Sequence, residues 1–252
     1  MSDAVYQATA GALIQQYRLD ILSNNLANVN TVGFKEERAH FELLEAEPMP
    51  LPEEDGEAMP SIGPILLGDP SLASYVNFSQ GSLRQTENPL DLAVEGDGFF
   101  NIQTPVGVKY TRNGNFVLGE NGLLMTTQGY PVLGQGGNIQ LEEDDPFTID
   151  REGNIEVNGS TVGSIRVTHF PDSQNLRKVG ESLFTALDNG ASAVPSENFA
   201  MMQGYLELAN VDPVRGMVEM IEALRVFEAY QKTLETLDEV DSQAVGDVGV
   251  VA

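Results

Sequence analysis

Only two histidines occur in the chain, His40 and His169, and neither has a second histidine at metal-ligand spacing. Cysteine is absent, which excludes disulfides, thiolate metal centres and cysteine nucleophiles. Glu142-Glu143-Asp144-Asp145 runs straight into Pro146. Four consecutive acids before a proline make a solvated loop, whereas acid–base chemistry needs two carboxylates in different environments. The Gly134–Gly137 stretch, GQGG, lacks the spacing of a dinucleotide loop, and no helical pattern follows it. No serine sits in a nucleophile elbow. The residue types thus point to a protein that is not an enzyme and carries no cofactor or metal.

The residue that recurs with a pattern is asparagine. Ser23–Glu37 reads SNNLANVNTVGFKEE, and Leu26–Val32 is echoed by Leu208–Val214, LANVDPV. Asparagine tolerates left-handed backbone, and its amide can satisfy peptide groups freed where a helix ends. Asn28 and Asn210 therefore have two readings. They cap helix ends, or they mark one junction visited twice by the chain and fix axial register there, as a buried asparagine does in a coiled coil.

The elements around these residues are a helix at each end. Val5, Ala8, Ala12, Gln15, Leu19, Leu22, Leu26 and Val29 fall at alternating steps of three and four, a coiled-coil spacing broken only by Gln15. Gly11 is a weak point in that helix, and Gly33 is the expected stop, a residue suited to a left-handed turn. Near the other end Asp212 is a good N-cap and Pro213 suits the first helical position. Met220, Ala223, Phe227, Tyr230, Leu234 and Leu237 then form an apolar stripe that should fade by Gly246. At about 1.5 Å per residue each helix would reach roughly 40 Å. A lone helix of this kind is marginal, because ordering its backbone costs about as much as its hydrogen bonds and one apolar face return. Both ends need more neighbours than one chain provides.

Between the helices lie two regions. Residues 36–79 read as an extended arm, acidic and rich in proline over 45–70. Residues 80–200 carry short alternating strands and Asn113-Gly114, Asn121-Gly122, Gly153-Asn154 and Asn158-Gly159 turns, an antiparallel β domain without helical crossovers. The expected class is α+β: terminal helices (1–35 and 201–252) paired as a coiled-coil-like stalk, with a central antiparallel all-β domain. The formal net charge of -25, from 38 acids and 13 bases, offers no basic footprint for nucleic acid. No apolar run is long enough for a membrane span, and the N-terminus lacks the basic and apolar regions of a cleaved signal.

These segments also carry a resemblance. LDILSNNLANVNTVGFKEERAHFEL looks like the N-terminal signature of the flagellar rod and hook proteins. QGSLRQTENPLDLAVEGDGFF, YTRNGNF and GLLMTTQGYPVLG are similar to their β domain, and GYLELANVDPVRGMVEMIEALRVFEAYQKTLETLDEVD to their C-terminal helix. The chain is too short for the full hook protein, and its tail is more similar to the proximal than to the distal rod protein. The resemblance implies a structural subunit of the bacterial flagellar basal body, exported unfolded without signal cleavage. Its partners would be the export apparatus, other rod subunits and itself, and it would polymerise through its terminal helices into the shaft that crosses the periplasm. The assembly residues expected on this reading are Val5, Leu19, Leu22, Leu26, Asn28, Val29, Gly33, Phe34, Asn210, Met220, Phe227, Tyr230, Leu234 and Leu237. Valine at Gly33 should then disturb assembly without lowering the melting temperature of the β domain. The alternatives are a distal rod protein or hook-assembly scaffold of the same family, and, in another class, a secreted polysaccharide-binding or hydrolytic β protein.

Overall fold

A computed structural model describes residues 2–43, 70–142, 146–180, 182–187, 193–196 and 198–249. The acidic, proline-rich stretch and most of the acid run at 142–145 fall outside them. Two compact units are present. One comprises the described residues of Met1–Leu22, Arg38–Tyr75 and Val218–Ala252, the other those of Ser23–Glu37 and Val76–Met217.

Helix α1 spans Ser2–Ala27, shorter than the expected run to Gly33. It stops because the backbone turns at Asn28, whose side-chain Nδ2 donates to the Asn24 carbonyl (2.8 Å) while its Oδ1 accepts from the Thr31 hydroxyl (3.1 Å). Asn28 and Val29 therefore lie beyond the helix, in the turn that Gly33 completes. Helix α2 spans Pro213–Gly249 and begins where expected. Asp212 Oδ1 accepts from the Val214 and Arg215 amides at 3.0 and 3.1 Å, an N-cap as read from the sequence.

Within the helical unit, Tyr230 packs on Gly11, where an added Cβ would lie 2.8 Å from the phenol oxygen. Gly11 is thus a seat for an aromatic ring, and the local loss of helix propensity is offset by that contact. Ala8, Ala12, Ile21, Leu22 and Ala223 are buried. The margins of the expected arm are ordered as strands Glu37–Leu43 and Pro70–Val76, which pair with each other. His40 belongs to the first of these strands rather than to the helical region.

The second unit is an antiparallel β domain. Its largest sheet has six strands in the order Leu176–Lys178, Leu183–Ala186, Gly107–Thr111, Phe99–Thr104, Val167–His169 and Val194–Pro195. Alternation along Phe99–Thr104 serves two cores. Phe100 and Ile102 join Leu92, Val94, Phe116 and Leu124 on one face. Phe99 joins Phe170, Leu176 and Phe184 on the other, in edge-to-face ring contacts. The domain is closed by its first and last strands. Leu92–Gly96 pairs with Phe199–Gln203, and Leu83–Gln85 with Tyr205–Glu207.

Three of the four expected hairpin turns are present. Asn121-Gly122 and Asn158-Gly159 have positive φ at both residues, and Gly153 has φ +81° in a turn closed by Gly153 N donating to the Asp150 carbonyl. Asn113-Gly114 is different. It joins strands that are not paired with each other, and its glycine is required by close approach: a Cβ there would overlap the Leu92 carbonyl, and Leu92 N donates to Gly114 O at 3.0 Å. Gly114→Ala should therefore destabilise the β domain by roughly 1–3 kcal/mol, the range for overpacking. Gly136→Ala, with nothing within 4 Å of the added methyl, should be neutral. Thermal unfolding of the two variants side by side checks this, and equal melting temperatures would contradict the assigned contact.

Candidate assembly junction

Pairing of the first and last strands delivers Glu207 to the side of Leu83 at the point where the polypeptide leaves the β domain. The residues that follow α1 arrive at the same place. Gly33 N donates to the Glu207 carbonyl at 2.8 Å. Lys35 extends alongside, and its ammonium reaches Glu207 Oε1 at 2.6 Å and the Ser79 carbonyl at 2.8 Å. Arg112 approaches from the strand end at Thr111. It meets Glu207 Oε2 at 3.4 Å and donates to the carbonyls of Val94 (3.0 Å) and Gly96 (2.7 Å). Gly81 N completes the carboxylate's shell at 2.8 Å.

Glu207 and Lys35 have no exposed side-chain surface, and Arg112 has almost none. An isolated ion here would be prohibitively costly, so the cluster persists because charge meets charge and the remaining donors meet carbonyls. Burial holds the Lys35 pKa below the usual lysine range, opposed by the Glu207 carboxylate, and the same balance lowers that of Arg112. One hydrogen bond is missing. Arg112 Nε is sealed without a partner among the described residues, and its guanidinium lies 5.2 Å over the Phe99 ring.

Asparagines clamp the backbone around this charge cluster. Asn25 is buried and closes the turn reciprocally, donating to the Glu37 carbonyl (2.7 Å) and accepting from the Glu37 amide (3.0 Å). Asn210 accepts from the Glu36 amide at 2.7 Å and donates to the carbonyls of Asn77 (2.8 Å) and Ser79 (3.0 Å). The two copies of LANV thus do different work. Asn28 caps the end of α1, whereas Asn210 ties the strand leaving the β domain to the segment entering it. The fold brings both copies to one junction.

Gly33 has φ +68°. A Cβ there would also run into the backbone of Asn113 and lie 2.5 Å from the Arg112 carbonyl carbon. This glycine is therefore packed against the β domain, and the expectation that valine would spare that domain is corrected by the contact. Phe34 is buried, with the Lys178 ammonium 3.9 Å from its ring centroid.

Three family profiles match in chain order. One described as "Flagella basal body rod protein" covers residues 7–35, one for the "Flagellar hook protein FlgE/F/G D1 domain" covers 93–157, and one for the "Flagellar basal body rod FlgEFG protein C-terminal" covers 202–246. Flagellar basal-body rod protein FlgF of Mesorhizobium japonicum is 32% identical over 251 residues, 99% of each chain. FlgG of Bacillus subtilis is 33% identical, covering 97% of this chain and 98% of the relative. The hook-basal body complex protein FlhO of the same organism is 31% identical over the full length of both. The chain belongs to the flagellar basal-body rod protein family.

The first and last of the family's matched segments each end or begin beside the buried charge cluster, since 7–35 closes on Lys35 and 202–246 contains Glu207 and Asn210. Of the residues expected to serve assembly, Asn28, Gly33, Phe34 and Asn210 lie at the junction, with Leu26 and Val29 half-buried beside Asn28 in the chain. Val5, Leu19 and Leu22 lie on α1, exposed, half-buried and buried respectively, and Met220, Phe227, Tyr230, Leu234 and Leu237 on α2 are each half-buried. Sequence reasoning missed Asn25, Lys35, Arg112 and Glu207. The signal lay in the quoted motifs themselves, GFKEE, YTRNGN and GYLELANV, each with a charged residue next to apolar or turn residues.

Glu207→Gln keeps the shape but leaves two buried cations without an anion. It should cost about 3–5 kcal/mol, and Asn210→Ala about 1–3 kcal/mol. Urea unfolding of the β domain, with the exposed Glu156→Gln as control, provides the measurement. A wild-type midpoint for Glu207→Gln would show that the carboxylate does not hold the junction. Gly33→Val should lower the same midpoint, reversing the expectation from sequence.

Proposed function

We propose that this protein is a structural subunit of the flagellar rod that polymerises through α1 and α2, without catalytic activity. One observation carries the reading. Beside the half-buried stripe at Met220, Phe227, Tyr230, Leu234 and Leu237, α2 bears a second apolar stripe at Val214, Met217, Ile221 and Leu224, again at steps of three and four, with exposures of 72, 50, 52 and 46%. Helix α1 likewise exposes Val5 and Leu13. Apolar seams left uncovered on long helices call for further helices, and copies of the same chain supply them. Family membership supports the same reading, as do the polar break at Gln15, whose Oε1 is sealed without a partner among the described residues, and the aromatic seat at Gly11.

In this proposal α1 and α2 pair as a coiled-coil-like stalk in the inner wall of a tube, and the β domain forms an outer layer. The subunit is exported unfolded, reaches the periplasm, and assembles with other rod proteins and with itself. It works without nucleic acid and without inserting into a membrane. The likeness of its C-terminal helix to that of the proximal rod protein supports a position in the proximal segment of the rod, and labelling within isolated basal bodies distinguishes that position from a distal one.

Leu22→Asp and Leu234→Asp each put an unpaired charge on an apolar seam, costing several kcal/mol per subunit in the assembled state. Both should abolish polymerisation, read by sedimentation and electron microscopy, while the β domain melts as in the wild type. Rods completed by either variant would contradict the seam. In a dilute monomer, amides of Leu19–Leu26 and Phe227–Leu237 should exchange faster than those of Phe99–Thr104. Equal protection would mean that the helices do not depend on neighbours.

A further inference from the structure

The six-stranded sheet carries a cleft of about 860 Å³ beyond its aromatic face, within the size range of ligand sites. Three side chains from neighbouring strands converge on it. Asn101 pairs in register with Tyr110, and Val167 with Phe100, which sets Arg166 across from Asn101. Burial raises the Tyr110 pKa, and the positive charge of Arg166 offsets part of that rise.

One of these groups is unsatisfied and another carries an exposed charge. Asn101 is 4% exposed, lines the cleft, and has a side-chain oxygen sealed without a hydrogen-bond partner among the described residues. Buried amides are ordinarily paired, so this one is waiting for a donor. Arg166 is exposed at the cleft and donates to the Gln135 carbonyl at 3.2 Å. It makes no ion pair among the described residues, in a chain whose net charge is -25. Glu152 lines the same cleft but makes no ion pair with Arg166, whose charge stays open in a concave site.

We infer that the cleft binds a carboxylate flanked by a hydrogen-bond donor, with Arg166 taking the carboxylate and Asn101 the neighbouring N–H or O–H. An acidic residue in an extended peptide has this chemistry, since its backbone N–H lies beside its carboxylate. So does a free hydroxy- or acylamino-acid. In a subunit that polymerises, the first source is a second copy of the chain, a statement that rests on the function proposed above.

The full chain at a concentration where it is monomeric is titrated with N-acetylglutamate N-methylamide and, as control, with the glutamine analogue, following side-chain amide resonances by NMR. The glutamate compound should shift the Asn101 side-chain amide and the glutamine compound should not. Arg166→Gln, a change at an exposed position, should weaken binding about tenfold, the loss of one charge-assisted hydrogen bond. Equal responses to the two compounds, or none to either, overturn the inference. Assembly then separates the two sources. If Arg166→Gln raises the concentration needed for polymerisation and the glutamate compound inhibits the wild type, the carboxylate comes from a second copy. If binding holds but assembly is unchanged, it is a free carboxylate. A wild-type chain that never polymerises would defeat the function proposed above, while the titration would still decide the cleft.

Discussion

Burial of one carboxylate governs the architecture of the β unit. Glu207 lies at the end of the last strand with no access to water, and it is tolerable there only because Lys35 and Arg112 bring positive charge from two other places in the chain. Lys35 can arrive only if the segment after α1 turns at Asn28 and Gly33. Arg112 can arrive only if the sheet holding Gly107–Thr111 is formed. Glu207 itself is delivered by pairing of the first and last strands. The cluster therefore forms when the β domain is closed and the segment from α1 is in place, and it ties three distant parts of the sequence to one point.

The neutral hydrogen bonds around the cluster act in the same sense. Asn25 closes the turn from 25 to 37, and Asn210 joins the entering and leaving segments through Glu36, Asn77 and Ser79. Each amide supplies both donor and acceptor to the backbone: Asn210 to groups that belong to no strand or helix, and Asn25 to Glu37, where the strand Glu37–Leu43 begins. In such an irregular crossing, side-chain amides replace the ladder that regular structure would have provided.

The helices obey a different constraint. Their buried positions are small residues, Ala8, Ala12 and Ala223, along with Ile21 and Leu22, while larger apolar residues remain outside on α2. Small residues allow close approach, as the Tyr230 ring over Gly11 illustrates, but they bury little area and return little free energy.

The sequence by itself determined the elements. Steps of three and four mark both helices, Asp212-Pro213 starts α2, Asn-Gly pairs mark two hairpins, and missing crossovers mark an antiparallel domain. These are local signals, set by backbone geometry and by which side of an element faces away from water. The sequence also announced the junction through its doubled LANV and long family motifs. It did not disclose that Asn28 and Asn210 act differently, because an amide's partner is chosen by whatever backbone is nearby after folding. Nor did it single out Lys35, Arg112 and Glu207. They are 172 residues apart at the extreme, and a charged residue reads as solvent-facing until tertiary structure encloses it. Gly33 shows the same division. Its left-handed backbone was legible as a turn residue, but its contact with Arg112 and Asn113 exists only because the β domain folds against the turn.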